Sequence, residues 1–304
     1  MASDTQGICY SGYRVGQSPD DGVYPSPDQI EEDLLILARG WRQLRLYDSG
    51  PHAELVLSAI ERLGLDFEVM LGAWLTAEAS NPGCPWGAWF SPEQLAANVV
   101  ANTAEIDRAV ALAGRYPGIV TSVSAGNEAT VDWTGHLVPV ERVIAYVRRL
   151  RAAIDQPITF CENHVPWVGK LAPLAAELDF LSLHSYPVWE YRSIDEALAV
   201  TDADWRRIAE RYPGKPVAIT EAGWATRSNG RGIERHNASP ELQIRYYREL
   251  SRWAEEHGVL VYVFEAFDEP WKGSPDPDEP EKHWGLFTVD RRPKPVMRDL
   301  YPEL

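Results

Sequence analysis

Ile119-Val120-Thr121-Ser122-Val123-Ser124-Ala125-Gly126-Asn127-Glu128 is a β-branched run that stays apolar or small until it ends in an amide and a carboxylate. Its composition predicts a buried strand over Ile119–Ala125. The next patterned stretch, Pro139–Ala153, lines up Val140, Val143, Ile144, Val147 and Leu150 on one stripe and turns Glu141, Arg142, Arg148 and Arg149 elsewhere, as an amphipathic helix does. A second short run, Pro157–Cys161, follows at once. Strand, helix and strand in succession make a βα unit feeding a parallel sheet.

Outward from this unit the pattern repeats. Strands are predicted at Gly7–Tyr10, Gln43–Tyr47, Glu68–Trp74, Phe180–His184, Pro216–Thr220 and Val259–Phe264, giving eight with the two above. Helices are predicted at Asp28–Ala38, Pro51–Leu63, Val165–Glu177 and Asp202–Arg211. Two more announce their starts: Ser91-Pro92-Glu93 and Ser239-Pro240-Glu241 each set a capping hydroxyl before a proline and an acid in the first turn. No Gly/Ser or charged tract divides the chain, so residues 1–304 read as one α/β domain, a (β/α)8 TIM barrel with its active site at the C-terminal ends of the strands. A doubly wound open sheet is the competitor. It normally carries a glycine-rich phosphate turn after its first strand, and Tyr10-Ser11-Gly12-Tyr13-Arg14-Val15-Gly16 lacks the GxGxxG form.

The 304 residues include 45 acids and 29 bases, a formal net charge of −16 that opposes binding to nucleic acid or anionic membranes. A neutral or cationic ligand is expected. No apolar run reaches membrane-spanning length, and Met1–Gly7 lacks the basic and apolar parts of a signal peptide. As written, the chain reads as cytoplasmic, or as secreted or periplasmic if a leader was removed. Cys9, Cys84 and Cys161 form no CxxC spacing, and the seven histidines form no HxH or HExxH, so no metal or other cofactor is expected. The acidic run Asp276–Glu281 lacks the loop glycine of an EF-hand. No obligatory protein partner is inferred.

In a barrel of this kind the chemistry sits just after each strand. Two strand ends stand out: Ser124-Ala125-Gly126-Asn127-Glu128 and Ile219-Thr220-Glu221-Ala222-Gly223-Trp224. Strands four and seven stand on opposite sides of the ring, so Glu128 and Glu221 converge across its mouth. Two facing carboxylates, one protonated and one ionised, are what glycosidic cleavage requires. Alone, either glutamate could instead cap a helix or pair with a base. Nine of the twelve tryptophans, Trp74, Trp86, Trp89, Trp133, Trp167, Trp189, Trp224, Trp271 and Trp284, fall at strand ends or in the loops beyond them. Some must simply pack loops. Since neutral sugars stack on aromatic faces, at least three are expected against sugar.

The Asn127-Glu128 and Thr220-Glu221-Ala222-Gly223-Trp224 motifs, with Phe264-Glu265-Ala266-Phe267-Asp268-Glu269-Pro270-Trp271-Lys272 and Glu281-Lys282-His283-Trp284-Gly285-Leu286-Phe287, resemble glycoside hydrolase family 17. The resemblance begins at Gly7-Ile8-Cys9-Tyr10 and continues through Leu44-Arg45-Leu46-Tyr47-Asp48 and Leu71-Gly72-Ala73-Trp74. It implies a retaining β-1,3-glucanase or β-1,3-glucan transglycosylase on a (β/α)8 barrel, with Glu128 as acid/base and Glu221 as nucleophile. It further implies Asn127 beside the sugar hydroxyl next to the reacting carbon, and Tyr186 near the nucleophile. Tyr47, Trp224, Trp271, Glu269, Lys272 and Glu281 complete the expected substrate contacts, the last three being equally readable as a structural ion-pair network. Ala222, Ala225 and the Tyr10–Pro19 opening depart from the plant pattern and resemble the bacterial branch. The expected partner is a β-1,3-linked glucan. A glycan-binding protein without activity is the remoter alternative, disfavoured by the pair of carboxylates.

Overall fold

The computed structural model describes residues 4–304. Eight parallel strands, β1 (Gln6–Cys9), β2 (Gln43–Arg45), β3 (Glu68–Gly72), β4 (Val120–Asn127), β5 (Ile158–Asn163), β6 (Leu181–His184), β7 (Val217–Ala222) and β8 (Val261–Val263), pair in chain order. β8 closes on β1, making a closed barrel. All eight predicted strands are found, and the architecture is the expected (β/α)8 barrel. The open-sheet alternative is excluded by the β1–β8 pairing.

The intervening helices are α1 (Pro27–Leu37), α2 (Pro51–Leu63), α3 (Pro92–Arg115), α4 (Val140–Arg151), α5 (His164–Val168), α6 (Ala172–Glu177), α7 (Ile194–Arg211) and α8 (Pro240–His257). Their starts follow local chemistry. Ser91 closes a capping box with Gln94 at the head of α3, and the Ser239 hydroxyl accepts the Leu242 N–H at the head of α8. Two helices differ from expectation. The segment predicted as Val165–Glu177 breaks in two at Gly169, because Trp167 is pulled into the core, where its Nε1 donates to the Ser182 carbonyl at 3.0 Å. α7 begins eight residues before the predicted Asp202, since Ser193 and Glu196 form a capping box that the apolar stripe alone does not reveal. Among the described residues no helix is long and apolar enough to cross a membrane.

The carboxyl ends of the strands are irregular. β4 slips in register against β5 between Ser124 and Asn127, and β7 slips against both β6 and β8 around Glu221. Such slips re-aim the side chains that follow. Just beyond β7, a Cβ added to Gly223 would lie 2.1 Å from the main-chain oxygen of Phe264, which follows β8. Neither backbone can retreat, because the Phe264 N–H donates to the Ala222 carbonyl at 2.9 Å. Gly223→Ala is therefore expected to destabilise by roughly 1–3 kcal/mol through forced strand separation. Thermal unfolding of the variant beside the parent protein checks it, the midpoint falling for Gly223→Ala.

Candidate active site

β4 reaches the barrel mouth through a bent backbone. Gly126 adopts φ 141° and Glu128 φ 43°, the latter rare for a residue with a side chain and frequent where function fixes geometry. Ser124 holds the bend, donating from its hydroxyl to the Gly126 carbonyl at 2.7 Å and accepting the Cys161 N–H at 3.1 Å. The bend tips the Glu128 carboxyl across the mouth toward β7. Glu221 needs no such bend, lying within β7 with its side chain inward.

One carboxylate oxygen of Glu128, one of Glu221 and a ring nitrogen of His184 all lie within 4.8 Å of one another. His184, the last residue of β6, is fully buried between the two acids. Its Nδ1 sits 2.8 Å from Glu128 Oε1 and 3.5 Å from Glu221 Oε2. Glu221 has further partners: Arg45 Nη1 donates to its Oε1 at 2.6 Å, and the Tyr186 hydroxyl to its Oε2 at 2.6 Å. The second Arg45 nitrogen, Nη2, donates to Asn127 Oδ1, while Nη1 also reaches the Thr220 carbonyl at 2.9 Å. The Arg45 guanidinium lies 4.5 Å from the Tyr47 ring centroid. Asn127, Tyr186 and Tyr47 therefore gather at the predicted site, through hydrogen bonds that centre on Arg45 and Glu221.

The two glutamates have different surroundings. The Glu221 side chain is 8% exposed, that of Glu128 30%. Burial pushes the Glu221 carboxyl up, but the charges of His184 and Arg45, with hydrogen bonds from Tyr186 and Arg45, bring it down to about 2. Burial works against a charged His184, yet Glu221, the Cys161 thiol and Glu128 outweigh it and push the imidazole up to about 10. Behind it, the buried Cys161 thiol is brought down to about 7 by Arg45 and His184 against the effect of burial.

A second ring of acids surrounds this pair. Glu162, fully buried at the end of β5, accepts from the Thr130 N–H and hydroxyl at 2.8 and 2.6 Å, and burial with the Glu128 charge pushes it up to about 7. The half-buried Glu281 is likewise pushed up to about 7 by burial, Lys272 opposing and the charges of Glu128 and Glu221 adding. Lys272 Nζ bridges Glu265 at 2.5 Å and Glu269 at 2.9 Å. Of the two expected readings of Glu269, its burial and its pairing with Lys272 correct the substrate contact and favour the structural ion pair. Glu269 is 1% exposed and accepts from the Ser11 hydroxyl, the Tyr13 N–H, Lys272 and Trp271 Nε1, so it pins the loop after β1 to the loop after β8.

Trp224 is a second correction. It is 1% exposed, its Nε1 donates to the Asn237 carbonyl at 2.8 Å, and its ring lies 5.3 Å from Tyr246 of α8. The chain turns outward after Gly223 and buries this indole between barrel and helix. Trp167 and Trp284 are buried as well, Trp189 and Trp271 half-buried, and Trp74, Trp86, Trp89 and Trp133 exposed. The sequence assigns no site role to Arg45 or Glu162 and reads His184 as a cleft or core residue. A charged Arg45 between Leu44 and Leu46 is the one local signal that an inward position of β2 serves something other than packing.

Among the described residues two groups have the residue types for a metal, Glu128/His184/Glu221 and His164/Glu190/Asp204. In the first, both Glu221 oxygens already hold protein donors. In the second, His164 Nε2 faces Glu190 at 2.9 Å and Nδ1 faces Asp204 at 3.0 Å, so the carboxylates address different nitrogens, as around an imidazolium rather than one shared ion.

A barrel with converging carboxylates at its mouth is the build of a glycoside hydrolase. Residues 7–285 match the BtgE/BtgC glycoside hydrolase domain, and the chain belongs to that family. It is 27% identical to a glucan 1,3-β-glucosidase of Arthroderma benhamiae, over 93% of this chain and 88% of that one. The fold superposes on an endo-laminarinase from Formosa with TM-score 0.84 and 28% identity, covering 99% and 88% of the two chains. A Rhizomucor miehei β-1,3-glucanosyltransferase, an active-site mutant in complex with laminaritriose, shares the fold at TM-score 0.75 and 21% identity, covering 96% of each chain.

Histidine charges make stability depend on pH. His164 is pushed up to about 9 by Asp204 and Glu190 against burial, and His184 to about 10, from an ordinary 6.5. A raised value means that the folded form holds the proton more tightly, so the stabilisation is full below 6.5 and is lost as pH rises through 9 to 10. Chemical-denaturation midpoints should therefore decline over that window. His164→Gln, whose acid partners Glu190 and Asp204 are distinct from Glu128 and Glu221, is expected to flatten the first part of the decline and to destabilise at pH 6 by on the order of 2 kcal/mol.

Proposed function

We propose that the protein is a retaining β-1,3-glucanase in which Glu221 is the nucleophile and Glu128 the acid/base, with residues 1–304 acting as one catalytic unit. The observation that carries this is that one carboxylate oxygen of Glu128 and one of Glu221 lie within 4.8 Å of each other, a convergence that supports the close pair of double displacement (carboxyl groups about 5–5.5 Å apart) over the wider gap of about 6.5–9.5 Å in which an inverting water sits. Glu221, buried and held ionised by Arg45 and His184, attacks the anomeric carbon while Glu128 gives its proton to the departing oxygen. In the second step the Glu128 carboxylate takes a proton from water, whose oxygen displaces Glu221 from the same carbon. A sugar hydroxyl in place of that water gives transfer, with no change in the protein groups.

The substrate class rests on the glucan-cleaving relatives at 27% and 28% identity. Charge supports it. Arg45 and Lys272 are each bound to carboxylates, and Glu128, Glu221 and Glu281 face the mouth, so the site offers an acidic sugar no uncommitted cation among the described residues. β-1,3-Gluco-oligosaccharides should be cleaved far faster than uronic-acid oligomers of equal length. Turnover of the neutral chain should change less than about twofold between low and high ionic strength, since screening acts on charge pairs rather than ring stacking. Preference for the uronides, or steep salt dependence, contradicts this reading.

The two roles separate by variant. Glu221→Ala is expected to abolish turnover of every substrate. Glu128→Ala should lose roughly 10²–10⁴-fold on oligosaccharides yet retain formation of the glycosyl enzyme from aryl glycosides with good leaving groups. Added azide should then release a β-glycosyl azide from Glu128→Ala. An inverted α-azide from that variant would exchange the roles. Product sizing on laminari-oligosaccharides tells hydrolysis from transfer.

A further inference from the structure

Trp86 and Trp89 in the loop between β3 and α3 are each 72% exposed, and Trp133 and Trp74, in the neighbouring loop and at the end of β3, are 40% and 39% exposed. Apolar surface on this scale, left uncovered on one rim, marks a binding surface rather than packing. The loops that carry it are fixed. Asn81 donates from Nδ2 to the carbonyls of Asp132 and Thr134 at 3.0 and 2.8 Å, and the N–H groups of Glu78 and Ala79 donate to the Leu137 carbonyl. Trp86 lies against the turn that carries Trp133, its Nε1 being 3.2 Å from where a Cβ on Gly135 would stand. Trp74 sits 4.8 Å from the His136 ring, whose Nε2 bonds the main-chain oxygen of Asn127, the residue before Glu128. The aromatic rim is thus continuous with the wall that delivers Glu128 and belongs to the same cleft.

We propose that Trp86 and Trp133 form a sugar-stacking platform on the leaving-group side of the cleft, taking the neutral glucosyl units beyond the bond that breaks, or the acceptor chain in transfer. This rests on the glucanase reading above. The side follows from the stereochemistry of displacement. Glu221 attacks one face of the anomeric carbon, the leaving oxygen departs from the opposite face, and the acid that protonates it stands there. Glu128 is that acid, and the platform grows from β3 and β4, its own side of the barrel. Indoles present flat apolar faces with one N–H at the edge, suited to the C–H faces and hydroxyls of glucose. The local charges are already met, Lys170 pairing with Asp132 at 2.5 Å, which leaves a neutral polymer as the fitting occupant.

Trp86→Ala, Trp133→Ala and the double variant test this, because both side chains are exposed and their loss leaves the core intact. Each is assayed on laminarihexaose and on an aryl β-laminaribioside, whose two sugars lie on the nucleophile side and whose phenol leaves without reaching the platform. The expected result is a fall in kcat/KM of about tenfold per tryptophan on the hexaose, from lost stacking of roughly 1.4 kcal/mol each, with the aryl glycoside unchanged within about twofold. Equal loss on both substrates, loss on the aryl glycoside alone, or no loss on either overturns the platform while leaving the glucanase reading in place. A wild-type protein that cleaves neither substrate overturns both.

Discussion

The arrangement at the barrel mouth depends on one buried ion pair. Arg45 is 1% exposed and Glu221 6%, and neither charge could remain so far from water without the other. Arg45 rises from β2 and reaches across the interior to Glu221 and the Thr220 carbonyl of β7 and to Asn127 of β4, so one guanidinium ties three strands together at the level of the chemistry. Its planar fork suits this, since two nitrogens can serve two walls at once. A lysine would meet one partner and leave another bare.

Charge balance around that pair accounts for much else. Arg45 and a protonated His184 face Glu221 and Glu128, so two cations offset the charge that the acids carry. In the proposed reaction this balance shifts usefully. Once Glu221 is esterified its charge is gone, and His184, 2.8 Å from Glu128, is left to stabilise the carboxylate that must act as base. The outer acids oppose further negative charge. Glu162 and Glu281 are both pushed up to about 7, partly by the charges they surround. Lys272 offsets the excess only locally, binding Glu265 and Glu269, and through Glu269 it fixes the loop after β1 that walls the cleft.

The fold was legible because each strand and most helices carry their own signal. Apolar runs of β-branched residues appear where strands stand, and Ser91-Pro92 and Ser239-Pro240 mark helix starts to the residue. The capping box at Ser193 was equally local but lies before the apolar stripe, so periodicity placed the start of α7 too late. Glu128 and Glu221 were legible for a related reason: a carboxylate that ends an apolar strand has few places to go but the mouth. Their partners were not. Arg45, His184 and Glu162 come from three other strands, and only barrel closure decides which inward residues meet. The tryptophans show the same limit. Trp74 and Trp224 both follow strands three and seven closely, yet one is exposed and the other sealed under α8, because the helix that follows covers the second position and not the first.

This unequal fate of the aromatics has a physical logic. Behind Glu221, Tyr186, Phe264 and Trp284 pack edge to face with centroids 5.2–5.8 Å apart, which keeps that wall rigid and dry. In the proposed mechanism the nucleophile must stay ionised, unhydrated and aimed; the packing supplies the last two conditions, and His184 with Arg45 supplies the first against the effect of burial. Glu128, as the proposed acid/base, has the opposite need, since it would meet a departing sugar and then an arriving water or hydroxyl. Its side chain is nearly four times as exposed, at 30% against 8%, and the tryptophans on its wall are open to solvent. On the proposed mechanism the barrel divides its aromatic residues between two tasks: buried rings brace the wall that would form the covalent bond, and exposed rings line the wall past which sugars would enter and leave.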